Sequence, residues 1–204
     1  MKRAIALLGL IVSCAACLSA ENRHAFYLEP DGSATWAVTE EDVRSGAEFL
    51  EGARRGQTQI ARALQQVGAT WVETKVVRDQ VPYTVVSQAR FDSAARMLES
   101  FLGAIGFEAE AALKFDAERT TLWFRFREPA ENGGDDESDF GPLGCLVEPV
   151  ERYRFVLTEG HFVEATGFRI ESGETLAVML DLEEAEEETD RDSVFYSLTW
   201  RTER

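Results

Sequence analysis

The chain has 204 residues, with 37 acidic against 21 basic side chains and a formal net charge of −16. That balance opposes nucleic acid and anionic phospholipid surfaces through plain repulsion. A hydrophobic fraction of 45% is that of a folded domain, and three cysteines are too few for a disulfide scaffold.

Met1 to Ala20 reads as a leader. Lys2 and Arg3 precede an apolar run from Ala4 to Val12, and small residues with Cys14 and Cys17 follow. The run is too short to span a bilayer and has the order of a secretory signal. Its removal takes away two cations and no acid, moving the net charge from −16 to −18. Ile11-Val12-Ser13-Cys14 resembles the bacterial lipobox. That resemblance implies cleavage before Cys14, which then carries a diacylglyceryl thioether and an amide-linked third chain. Each buried CH₂ adds roughly 0.8 kcal/mol of membrane affinity, so several chains anchor stably where one does not. Ordinary cleavage after Ala20 stays open, and a second lipobox ending at Cys17 is weaker because Cys14 holds a position that prefers Leu.

The chain from 21 to 204 is expected to be one α+β domain with an acidic loop at 129–144. It opens with a hairpin, Ala25 to Glu29 and Ala34 to Thr39, turned at Pro30-Asp31-Gly32. A helix is predicted from Ala47 to Val67, where Phe49, Ala53, Ile60, Leu64 and Val67 recur at helical spacing. Gly52 and Gly56 weaken it, and Arg54, Arg55 and Arg62 read as its solvated face. A second hairpin, Thr70 to Val77 and Tyr83 to Arg90, leads to a helix capped by Asp92 or Ser93 and ending at Ile105. A third hairpin joins Ala109–Phe115 to Thr120–Arg127. The predicted architecture is an antiparallel sheet of hairpins with two helices packed on one face, followed by a β-rich C-terminal segment.

Pro129 to Gly144 is acidic and poor in apolar residues. Asp135, Glu137 and Asp139 suggest a calcium loop, but counting from Asp135 puts Phe140 where an EF-hand needs Gly and Leu146 where it needs Glu. Cys145 reads as half-buried beside Leu143 and Leu146, with pairing to Cys17 left open. Tyr153–Thr158, His161–Phe168, Thr175–Leu180 and Val194–Trp200 read as strands that extend or cover the first sheet. Glu183 to Asp192, with seven acids, reads as a solvated loop.

Asp31-Gly32-Ser33-Ala34-Thr35-Trp36 and Gly160-His161-Phe162-Val163-Glu164-Ala165-Thr166-Gly167-Phe168, together with the lipobox, resemble the LppM-type envelope lipoproteins of bacteria. The likeness covers about a third of the chain on motifs of low specificity. It departs from that family in lacking the C-terminal transmembrane helix typical of it. The resemblance implies an envelope domain that binds a lipid or glycolipid headgroup, and no catalytic residues.

The expected protein is therefore a lipid-anchored envelope lipoprotein facing the periplasm or exterior, acting as a non-enzymatic binding domain. Its partners would be the membrane, through the anchor, and an envelope protein or lipid. Trp36, Trp71 and Trp123 are divided between core and contact surface. A lipid or glycolipid carrier is the alternative and requires an apolar cavity under Met97 and Phe101. A secreted hydrolase is the third reading, with His161 as base and a Cys145–His161 pair as its nucleophile idea. No cofactor or metal is assigned, and oligomeric state is left open.

Overall fold

The computed structural model describes residues 20–42, 64–80, 83–104, 107–127, 153–180 and 194–202. The first hairpin pairs β1 (Ala20–Leu28) with β2 (Ala34–Asp42). Its turn closes where the Gly32 amide donates to the Glu29 carbonyl and the Ser33 amide to Asp31 Oδ1, at 3.0 and 2.9 Å. Gly32 has φ +83°, and a Cβ there would come within 2.6 Å of Phe115 Cζ. Both the backbone and the neighbouring ring require glycine.

Strands β3 (Trp71–Arg78) and β4 (Tyr83–Phe91) form the second hairpin, and β4 pairs with β2. The helix α1 (Ala94–Ala104) follows. Ser93 Oγ accepts from the Arg96 amide at 3.5 Å, and the Ala94 amide donates to the Gly32 carbonyl at 2.9 Å. The helix therefore begins on a hairpin turn that satisfies one of its unpaired N-terminal donors. Strands β5 (Glu108–Phe115) and β6 (Thr120–Arg127) make the third hairpin.

The remaining strands are β7 (Tyr153–Leu157), β8 (His161–Thr166), β9 (Phe168–Ile170), β10 (Leu176–Met179) and β11 (Val194–Arg201). They divide between two sheets. One runs β3-β4-β2-β1-β7-β10-β9, with β1 and β7 parallel; the other runs β5-β6-β11-β8. The change of sheet between β8 and β9 falls at Gly167, with φ +72°. A Cβ there would lie 2.4 Å from Tyr196 Cδ1, so the chain turns this corner only with glycine. The sequence reads His161 to Phe168 as one strand because apolar alternation continues across the corner.

The core lies between the sheets. Phe155 of one sheet faces Phe124 of the other at 6.3 Å between ring centroids, and Phe168 faces Tyr196 at 5.5 Å. Where the four-stranded sheet does not reach, α1 supplies the cover: Phe101 stands 5.0 Å from Trp36, 5.6 Å from Tyr153 and 5.8 Å from Phe26.

This corrects the expected α+β arrangement of two helices on one antiparallel sheet. The fold is β-rich, with two sheets, and the third hairpin belongs to the second of them. A helix is about 10 Å wide, against about 4.8 Å between strands, so α1 can cover only two or three of seven strands. Phe155 and Phe168 need a broader layer, and Phe124 of β6 and Tyr196 of β11 provide it. Of the helix expected from Ala47 to Val67, residues 64–66 are helical and the rest lies outside the described residues.

Candidate functional site

The two histidines are placed very differently. His24 points inward from β1 and is 1% exposed, and Trp36 Nε1 donates to its Nδ1 at 3.1 Å. That bond requires Nδ1 to carry no proton, so the imidazole is neutral with its proton on Nε2. Tyr153 at 5.0 Å and Phe101 at 6.1 Å complete an aromatic surround. The pattern that buries Phe26 and Leu28 also buries His24, two residues before Phe26. The sequence reading began the strand at Ala25 and so missed it.

His161, the histidine singled out from sequence, is half-buried at the start of β8 and lies opposite Arg201 of β11. Cys14, Cys17, Cys145 and the acidic stretches at 135–139 and 183–192 lie outside the described residues. Among the described residues no group of three His, Cys, Asp or Glu side chains is placed to hold a metal ion. Trp36 is core, Trp123 is half-buried and stacks on Phe195 at 6.2 Å, and Trp71 is 44% exposed. Met97 and Phe101 are buried, and the rings of Phe26, Trp36 and Tyr153 pack against Phe101, where the carrier reading wants a cavity.

Beside Arg201 a half-open groove of about 510 Å³ runs between the β5–β6 turn, Pro30 and the end of β11. Its apolar wall is Phe115, which is 56% exposed. The turn is built on Asp116, whose Oδ1 accepts from the Glu118 and Arg119 amides at 3.0 and 2.7 Å. Those two donors hold its carboxyl below the usual carboxylate range. Arg119 reaches across the sheet to Glu164 at 2.8 Å. Among the described residues Arg201 has only a long approach to Glu118, 3.9 Å, and its buried Nε has no hydrogen-bond partner.

Such a groove offers one loosely held guanidinium beside an exposed ring, with Asp116 and Glu118 limiting the charge of anything that enters. It is suited to binding a small group with one anionic and one apolar end. Sequence reasoning could not find it. Its wall comes from three segments far apart in the chain: the pairing of β6 with β11 joins two of them, and the packing of the first hairpin turn against Phe115 brings in Pro30.

No family model matches the chain, and no curated protein matches it. Among solved structures, the NMR structure of the Mycobacterium tuberculosis LppM folded domain is similar over 91% of each chain. The identity is 11% and the TM-score 0.39, a weak resemblance. The described residues define a β-rich, two-sheet domain with α1 wedged at the side of the core.

Proposed function

We propose that the protein is a bacterial envelope lipoprotein, tethered through Cys14, whose two-sheet body binds another envelope component and carries out no reaction. The observation that supports this most is the order of the N-terminal sequence: Lys2 and Arg3, the apolar run Ala4 to Val12, and Ile11-Val12-Ser13-Cys14, which resembles the lipobox. Cys14 stands six positions before Ala20 of β1, so a tether made there is short.

The groove beside Arg201 is the binding site this reading favours for a small partner group. The carrier alternative is weaker, because aromatic rings pack tightly against Phe101 on the inner face of the large sheet. Metabolic labelling with an alkyne fatty acid tests the tether. The label should enter the wild-type chain and Cys17→Ser and be lost in Cys14→Ser. Label that survives Cys14→Ser removes the proposal.

A further inference from the structure

We propose that the outward face of the seven-stranded sheet docks on a bilayer surface rich in anionic phospholipid, an inference that rests on the tethered reading above. The strand register sets Trp71, Arg90, Thr35, Tyr27, Val156 and Leu176 in one row across β3, β4, β2, β1, β7 and β10. In the adjacent row Arg154 and Arg169 flank Val178. Tyr27 and Trp71 are 36% and 44% exposed, and both are rings with one polar end, of the kind that settles at headgroup level.

The charge of this face is opposite to that of the chain. Arg23, Lys75, Arg90, Arg154 and Arg169 all lie on it and are all exposed. Lys75 pairs with Glu73 at 2.7 Å, Arg23 with Glu41 at 3.5 Å and Arg169 with Glu171 at 3.2 Å. Arg90 and Arg154 have no ion pair among the described residues, although Arg90 lies near enough to Asp31 to help lower its carboxyl. On the outward face of the other sheet, by contrast, Arg125 and Arg127 are matched by Glu110 and Glu108. Charges are screened over about 8 Å at physiological salt, so contact with a flat surface is governed by the local face and not by the net −16. The tether adds a geometric constraint: the residues from Cys14 to Ala20 span at most about 20 Å, which keeps β1 close to the membrane.

The test uses the full chain on vesicles of equal parts phosphatidylglycerol and phosphatidylcholine containing a spin-labelled lipid. Trp71 quenching is read as the difference between wild type and Trp71→Phe. Trp71 should be quenched on these vesicles and not on pure phosphatidylcholine. Arg90→Ser with Arg154→Ser should weaken docking by about five-fold per arginine. Arg125→Ser with Arg127→Ser, which changes the net charge equally, should leave it intact.

Unquenched Trp71 on phosphatidylglycerol, or equal losses in the two double variants, overturns the proposal. So does a Trp71 emission shift with poly-glutamate but no quenching on the vesicles, which assigns the face to an acidic polypeptide. The labelling of Cys14 is a separate readout, so failure of the docking face and failure of the tether are told apart.

Discussion

Single side chains carry several features that no strand pattern conveys. The Trp36–His24 bond holds a polar imidazole inside an aromatic core. Trp36→Phe keeps most of the ring volume and removes the donor, so it should cost about 1–3 kcal/mol in urea unfolding. Gly167 combines a left-handed backbone with a ring directly against it. Gly167→Ala should lower stability by at least about 1–3 kcal/mol, measured the same way, with Gly173→Ala as the comparison because nothing lies near its position. Asp31 is a weaker case with a defined sign. The Ser33 hydroxyl and amide beside it hold its carboxyl below the ordinary value of 3.8, the amide alone in hydrogen-bonding geometry. A lowered folded value gives stability that is present above pH 3.8 and lost as the pH falls through the folded value. Asp31→Asn should therefore flatten the acid limb of stability below about pH 4 without changing the plateau slope near neutrality.

Elements were far more legible than their arrangement. Pro30-Asp31-Gly32 placed the first turn, the stripe through Met97, Leu98 and Phe101 placed α1, and Leu122, Phe124 and Phe126 identified the buried face of β6. Alternation assigns a residue to a face, but it does not say which sheet that face belongs to. Phe124 alternates equally well in one extended sheet or in a second sheet facing the first. The parallel pairing of β1 with β7 was also invisible, since its partners, from His24 with Tyr153 to Leu28 with Leu157, stand 129 positions apart (153 − 24), and no local signal marks such a contact. The groove beside Arg201 inherits the same difficulty. At this scale α1 is testable as a packing element: Phe101→Ala should cost about 3–5 kcal/mol, read by chemical denaturation, because its ring closes the side of the core that the second sheet leaves open.

For the whole molecule, composition and surface point in different directions until the charges are placed. A net charge of −16 suggested a body repelled by anionic membranes, yet the seven-stranded sheet turns cations and two aromatic rings outward. The two become compatible when the acidic remainder faces away from the bilayer and one face meets it. Among the described residues no helix is long and apolar enough to cross a membrane.

Intact-mass analysis of the protein produced with its own leader and purified from the membrane fraction tests the tether at Cys14 most directly. The account predicts a chain beginning at Cys14 with the added mass of a diacylglyceryl group and an amide-linked acyl chain. An unmodified chain beginning at Glu21 would contradict it.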